Sequence, residues 1–293
     1  MEETQINITQ TIMNAINGLF ESVFSSIDNN VYDLLDDLAF INNDIFNDSF
    51  FEKIFGTSST NGLLLIANSL LVAFALYYCI KLFYSTYLCS QVENPYQFVF
   101  KLLLFGAVMN SSYFIVEQIV SINSLVSSSI CGVGKDVFNI EVSFSSLIQS
   151  LNSIISINQS TFNIFSFDGL IKGFVSISLF NLVFSYSLRY VMLKVFLLIT
   201  PFSFLSLLNQ STAWFFKTWF KALFSLLITQ SLIALILLIA FSIQASSSNL
   251  FSKILYIGTI YALIRANSYV RQLIGGISTD VSNNLNLVSS IIK

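Results

Sequence analysis

The sequence predicts an all-α, polytopic integral membrane protein with about five transmembrane helices. The first observation is composition: 55% of the 293 residues are hydrophobic and 10% are charged, and the mean hydropathy is +0.75. The second is that apolar stretches of the roughly 20 residues needed to cross a bilayer core recur along the chain. The third is a charge asymmetry, because residues 1–52 hold ten acidic residues and no Lys or Arg.

The composition argues against the common kinds of active site. The chain has no histidine, the side chain that most often serves as a general base or as a ligand of zinc or haem iron. Its three cysteines, at positions 79, 89 and 131, lack the CxxC spacing of metal or dithiol sites. The net charge of −3 does not indicate a basic nucleic-acid-binding surface. We therefore predict that the protein is not an enzyme and uses no cofactor or metal.

Residues 1–60 are predicted to be an acidic, amphipathic helical segment outside the cytoplasm. Lys and Arg are retained on cytoplasmic flanks of membrane helices, so a segment without them up to residue 52 belongs on the outer face. Its apolar residues recur at three- and four-residue steps, which is typical of one helical stripe. The stripe either lies on the outer leaflet or packs on a partner subunit. It consists of Ile12, Ile16, Leu19, Phe20, Val23, Phe24 and Ile27, and after a break Val31, Leu34, Leu35 and Leu38.

Residues 61–122 are predicted to form a hairpin of the first two transmembrane helices. The first runs from Gly62 to Leu88, with Lys81 near its inner end, and the second from Phe98 to about Ile122. Glu117, near the outer end of the second helix, is a candidate site residue because ionisable groups at membrane depth are usually functional. The alternative for this residue is an ordinary interfacial position. Amides deeper in the predicted helices are expected to hydrogen-bond between helices: Asn110, Asn181 and Gln230.

Residues 123–168 are predicted to be a long central loop outside the cytoplasm. They are rich in Ser, Asn and Ile and contain no continuous apolar stretch long enough to cross a bilayer. Alternating apolar residues from Phe138 to Phe144 predict a short strand, and helical spacing follows from Leu147 to Ile155. A loop of this length with many large apolar residues is expected to fold against a neighbour.

The third and fifth transmembrane helices are predicted within residues 169–250. The third runs from about Leu170 to Tyr190 and the fifth from Ala222 to about Gln244. Each is long enough for the roughly 30 Å of a bilayer core. Arg189 and Lys194 mark the inner end of the third helix, because basic residues flank the cytoplasmic ends of membrane spans.

The fourth predicted helix, from about Val195 to Ala213, is less regular than its neighbours. Pro201 removes one backbone hydrogen bond, so this stretch is either a tilted span or a re-entrant hairpin. It is followed by an aromatic and basic cluster of the type that anchors a membrane interface. The candidate site residues of this cluster are Trp214, Lys217, Trp219 and Lys221.

Five spans place the N-terminus outside and the C-terminus inside the cytoplasmic membrane, with residues 251–293 as a cytoplasmic tail. Ile254 to Ile264 supplies only eleven residues, too few to cross. In this topology Lys217 and Lys221 lie outside, against the preference of basic residues for the cytoplasmic side. A re-entrant fourth helix is the alternative, which places both lysines inside and makes Ile254–Tyr269 the final span.

The most distinctive sequence motif is a proline followed by a tryptophan-containing stretch and a Leu-rich helix. It reads Pro201-Phe202-Ser203, then Ser211-Thr212, then Trp214-Phe215-Phe216-Lys217-Thr218-Trp219-Phe220. Together with the acidic outer N-terminus, the hairpin and the central outer loop, this motif resembles the VirB6/TrbL family of type IV secretion systems. The acidic N-terminal extension is similar to those of conjugative elements of Gram-positive bacteria.

The resemblance implies a membrane channel or scaffold subunit that helps DNA or protein cross the cytoplasmic membrane during conjugation. Besides the lipid bilayer, it implies a homo-oligomeric ring, other secretion subunits and a secretion ATPase as partners. It also implies transient contact of translocating DNA or protein with the loop at 123–168. The alternatives are a small-molecule exporter or permease subunit, and an organelle- or phage-encoded structural membrane protein. The candidate residues for assembly or translocation are Glu117, Arg189, Lys194, Pro201, Trp214, Lys217, Trp219 and Lys221.

Overall fold

The computed structural model describes residues 11–12, 14–19, 22, 31, 34–56, 62–88, 94–154, 167–244 and 250–275. Regular secondary structure within these ranges is helical and includes no strand, so the predicted all-α class is confirmed. Residues 34–39 are helical. The helices after them are α1 (Ser49–Phe55), α2 (Leu63–Leu88), α3 (Pro95–Asn110), α4 (Ser112–Phe138), α5 (Phe144–Ile154), α6 (Phe167–Leu198), α7 (Thr200–Leu205), α8 (Ala213–Gln244) and α9 (Leu250–Ile274).

The N-terminal apolar stripe falls partly within these ranges. Residues 14–19 are helical, and Ile12, Ile16 and Leu19 are exposed on the chain's surface. The choice between the outer leaflet and a partner subunit for this stripe stays a prediction. Outside the described residues lie Phe20, Val23, Phe24 and Ile27.

Helices long and apolar enough to cross a membrane support a membrane protein. In the described part of the chain there are four by length and composition: Leu63–Ser85, Ser112–Phe138, Gly169–Leu198 and Ala213–Ser242. The first, third and fourth of these contain most of the first, third and fifth helices predicted from sequence. The five-span count and the orientation of the termini stay predictions.

The predicted boundary between the second helix and the central loop is wrong. α3 ends at Asn110 and α4 continues to Phe138, so residues 123–138 of the predicted loop are helical. Serines lower the hydropathy of this stretch, but their hydroxyls are satisfied by carbonyl groups of the same helix. Ser127 Oγ donates to Ser124 O at 3.0 Å, and Ser129 Oγ donates to Leu125 O at 2.8 Å.

The strand predicted between Phe138 and Phe144 is also wrong. Asn139 takes a left-handed conformation (φ +53°), and its N–H donates to Lys135 O, which ends α4. α5 then begins at Phe144, in the region where helical spacing predicted a helix. The alternating pattern has another cause, because Val142 and Phe144 point into the core from a turn and from a helix start.

The fourth predicted helix is not one continuous span. α6 ends at Leu198, the short α7 follows, and a 3₁₀ turn at Ser206–Leu208 leads toward α8. Pro201 lies in the first turn of α7, where its missing N–H costs no helical hydrogen bond. α7 is packed inward, and its Thr200 and Ser203 are fully buried.

The connection reverses the chain, because Trp219 Nε1 on α8 donates to Phe196 O on α6 at 2.8 Å. α6 and α8 therefore run antiparallel from one shared end. The tilted-span alternative for Val195–Ala213 is wrong, and Lys217 and Lys221 lie at the same end of the bundle as Lys194. The side of a membrane on which these lysines lie stays a prediction.

α9 belongs to the helical bundle. Tyr256, Ile260, Leu263 and Ala266 are buried, and they share one core cluster with residues of α6 and α8. The predicted tail at 251–293 is therefore packed helix as far as Ile274, while residues 276–293 lie outside the described ranges.

The core consists of two main clusters stacked along the bundle. One joins α5, α6, α8 and α9, and the other joins α1, α4, α7 and the ends of α6 and α8 that meet at the connection. Residues 34–56 contribute side chains to both clusters. This segment of the acidic N-terminus is therefore part of the interior.

Candidate functional site

The candidate site is the seam where residues 34–56, here called the inserted segment, enter the helical bundle. It overlaps the predicted apolar stripe only at residues 34–38, and there Leu35 is buried against helices of its own chain. Its aromatic residues close around Tyr113 of α4, whose ring centroid lies 5.4 Å from that of Phe46 and 5.2 Å from that of Phe55. Its buried apolar residues are Leu35, Ala39, Ile41, Ile45, Phe46, Phe51 and Phe55.

Asp36 attaches the inserted segment to the N-terminus of α5. Its carboxylate accepts hydrogen bonds from Phe144 N at 2.7 Å, from Ser145 N at 3.3 Å and from Ser145 Oγ at 2.9 Å. The first N–H groups of a helix lack partners within the helix and carry partial positive charge, which favours a carboxylate there. Sequence reasoning did not select Asp36, since its partner is 108 residues away.

Arg189, a predicted site residue, lies at the centre of the seam. Its side chain is fully buried, and Nη2 donates to Ala39 O at 2.8 Å and to Leu38 O at 3.4 Å. These carbonyls lie at the end of the helical residues 34–39, where a cation is favoured by the helix dipole. The guanidinium also lies 5.7 Å from the ring centre of Tyr186. A charged side chain within a membrane helix normally faces the bundle interior, as this one does.

Lys194, also predicted, forms an ion pair with Asp48 at 3.1 Å. The hydrogen bond from Lys194 is the main cause that lowers the pKa of the Asp48 carboxyl. Asp48 also caps α1, since it accepts from Phe50 N at 3.0 Å. One carboxylate therefore starts α1 and joins it to α6, while Gly56 at φ +95° ends α1.

An uncharged polar network completes the seam between α4 and α8. Gln230 Nε2 donates to Ser127 Oγ at 2.8 Å and to Ile41 O at 3.3 Å. Asn123 Nδ2 donates to Gln230 Oε1 at 3.3 Å. The interhelical role predicted for Gln230 is thus confirmed, and it extends to the inserted segment.

The other predicted amides lie elsewhere. Asn110 on α3 and Asn68 on α2 exchange reciprocal hydrogen bonds at 3.0 and 3.1 Å, which confirms the interhelical prediction for Asn110. The same expectation for Asn181 stays a prediction. Glu117 lies in the second turn of α4 and is half-buried, close to one end of the span candidate Ser112–Phe138. It is not among the residues that hold the inserted segment.

The predicted aromatic and basic cluster divides into an inward and an outward part. Trp219 is 3% exposed, and its ring lies 5.7 Å from that of Phe204 and 5.5 Å from that of Phe216. Pro201 is buried in the same region. Trp214 is 64% exposed, and Lys217 and Lys221 are exposed as well. The structure therefore does not bring the two tryptophans into one surface.

The seam joins the inserted segment to helices of the same chain. Its polar contacts end on backbone groups, hydroxyls, an amide and one ion pair. Among the residues that the structure describes, no group of three or more His, Cys, Asp or Glu side chains is arranged to hold a metal ion. A comparison with known protein families found no family model that matches the chain, and a comparison with curated proteins found no significant match.

Proposed function

We propose that this chain is a membrane channel or scaffold subunit of a type IV secretion machine that transfers DNA or protein across the cytoplasmic membrane. The observation that carries this proposal is the contrast between two parts of the fold. In the most apolar 18-residue window of Leu63–Ser85, 6% of the residues are buried within the chain, against 61% for Ala213–Ser242. α2 therefore offers an apolar surface to lipid or to neighbouring subunits, while α8 supports the packed core.

The assignment to type IV secretion is supported by the resemblance of the stretch Pro201–Phe220 to the VirB6/TrbL family. The proposed partners are further copies of this chain in a ring, other secretion subunits and a secretion ATPase. Contact with translocating DNA or protein is proposed to be transient. The inserted segment fits a structural subunit, because Asp36 and Asp48 accept from N–H groups at the starts of α5 and α1, and Ala39 O accepts from Arg189 of α6.

Basic residues at one end of the bundle support an orientation. Lys194, Lys217 and Lys221 flank the connection between α6 and α8, and Lys81 and Lys101 lie beside residues 207–210 of that connection. Cytoplasmic ends of membrane helices are enriched in Lys and Arg. We propose that this end faces the cytoplasm, with the N-terminus outside, α9 as the final span and the C-terminus inside.

Cysteine labelling tests this orientation. In a chain whose three native cysteines are replaced by Ser, Gln210→Cys at the α6–α8 connection is expected to resist an impermeant maleimide in intact cells. Glu141→Cys, between α4 and α5, is expected to react. Both positions are exposed in the structure, so each should react after the membrane is opened. Reaction of Gln210→Cys in intact cells would overturn the orientation.

Co-purification tests the proposed machine. The tagged chain, gently solubilised from membranes of its native cells, is expected to recover a secretion ATPase and other channel subunits in one large complex. Leu76→Trp on α2, at a position 60% exposed, should reduce this recovery about ten-fold if α2 contacts a neighbour. Phe251→Trp on α9, at a position 69% exposed, is the matched control. Recovery of a small particle without other proteins, active in transport after reconstitution, would favour the permease alternative.

A further inference from the structure

A cleft opens between α2, α3 and the turn that follows α7, away from the inserted segment. Its volume is about 340 Å³. The side chains that give it its chemistry are Tyr77, Tyr78, Lys81, Lys101, Asn209 and Gln210. We call these six residues the basic cleft.

The basic cleft has a stacked aromatic floor. The rings of Tyr78 and Phe98 lie parallel, with centroids 3.7 Å apart and an interplanar angle of 6°. Each of the two residues is 9% exposed and belongs to a small core cluster with Leu208. These rings thus join α2, α3 and the turn that follows α7, and this packing fixes the positions of the polar side chains of the cleft.

The charge of the cleft selects an anion. Lys81 and Lys101 come from antiparallel helices on its two sides, and no acidic side chain is among the described residues that line the cleft. Ammonium groups bind phosphate as point charges, and the amides of Asn209 and Gln210 can donate to phosphate oxygens. Lys81 lies near one end of the span candidate Leu63–Ser85, at the depth where lipid headgroups are found.

An apolar groove continues from the cleft along α2. The two share Phe74, Tyr77 and Asn209, and the groove extends to Leu70 and Ala73 with a volume of about 310 Å³. From Lys81 to Leu70 the helix advances roughly 16 Å at 1.5 Å per residue. That length is about half of the 30 Å bilayer core, the depth that one acyl chain occupies.

We infer that the basic cleft and its groove form a binding site for an anionic phospholipid, with the headgroup phosphate between Lys81 and Lys101 and one acyl chain along Leu70, Ala73 and Phe74. Basic pockets between membrane helices on the cytoplasmic side commonly bind acidic headgroups. A soluble phosphate would use only the cleft, whereas the continuous groove fits a ligand with an apolar chain. The inference rests on the proposed orientation of the bundle and is independent of the proposed role in secretion.

Native mass spectrometry of the full chain in detergent tests the headgroup part. The probes are phosphatidylglycerol and phosphatidylcholine with identical acyl chains, and phosphatidylglycerol is expected to bind more tightly. Lys81→Gln and Lys101→Gln should each lower the affinity for phosphatidylglycerol about five-fold, and the double variant should lower it about thirty-fold. Lys135→Gln, an exposed lysine of α4 outside the cleft, is the matched control and should change nothing. Equal affinity for both lipids, or an unchanged double variant, would overturn the inference.

A second arm distinguishes a lipid from a free phosphate. Ala73 is exposed, so Ala73→Trp fills the groove without altering the charge and should leave the fold intact. This variant is expected to lower the affinity for phosphatidylglycerol about ten-fold. Glycerol phosphate at millimolar concentration is expected not to displace the lipid. Full displacement by glycerol phosphate, together with normal binding by the Ala73→Trp variant, would identify a small-anion site and overturn the lipid assignment.

Discussion

Replacing Trp219 by Ala is expected to destabilise the protein by about 3–5 kcal/mol, whereas the same change at Trp214 should cost less than about 0.5 kcal/mol. The indole of Trp219 is 3% exposed and packs against Phe204 and Phe216. Its removal leaves a cavity at the junction of α6, α7 and α8, and Phe196 O keeps the hydrogen bond from Thr200 Oγ1 but loses the one from the indole. Trp214 has no comparable burial, since it is 64% exposed.

Thermal unfolding of the two single variants in detergent measures this difference directly. The chain contains only these two tryptophans, so each variant retains one fluorescent reporter. Trp219 in the Trp214→Ala protein should be shielded from acrylamide, and Trp214 in the Trp219→Ala protein should be quenched. Similar melting temperatures for the two variants would contradict the division of the cluster into inward and outward parts. If Trp214 contacts a partner, the Trp214→Ala protein should fold normally and lose co-purifying subunits.

Replacing Arg189 by Met is expected to release the inserted segment from the bundle. The change removes the donor to Ala39 O and Leu38 O, and each buried carbonyl left unpaired costs about 1–3 kcal/mol. It also removes the cation at the end of the helical residues 34–39. Met has a similar length and is apolar, so the packing around Tyr186 should change less than the polar contacts.

Labelling at position 39 measures the release. Ala39 is fully buried, so Ala39→Cys in a chain without other cysteines should resist maleimide, and adding Arg189→Met should raise its labelling rate about ten-fold or more. Arg265→Met on α9, where the half-buried arginine donates to Tyr261 Oη at 3.3 Å, is the matched control and should leave the rate unchanged. Arg189→Lys keeps the charge and should restore part of the protection. Equal labelling with and without Arg189→Met would show that the apolar contacts of Leu35 and Phe46 hold the segment by themselves.

Several elements of the fold could be predicted because their cause is local. An apolar run such as the one in α2 or α8 must place about 20 residues in a bilayer core or in a protein interior, whatever its neighbours are. Helical spacing likewise located α5, since the period of apolar residues belongs to the helix itself. The all-helical class followed from these runs.

Other elements could not be predicted because their outcome depends on partners distant in sequence. α4 keeps its helix through a serine-rich stretch since its hydroxyls bond within the helix and Gln230 reaches it from α8. Hydropathy alone assigns the same serines to a loop. The course of the chain after Pro201 was left open by sequence, and the contact of Trp219 with Phe196 shows that the chain reverses there.

By itself the sequence determined the apolar helices and the excess of acidic residues at the N-terminus, because each is a property of residue type and spacing. Only the tertiary structure decided which groups the charged and polar side chains bond to. The carboxylate of Asp36 accepts hydrogen bonds at the start of α5, and Arg189 donates to carbonyl groups at the end of residues 34–39. Gln230 donates to Ile41 O across 189 residues. The physical reason is that an unpaired buried polar group costs free energy, and the identity of its partner is set by which chain segments the fold brings together.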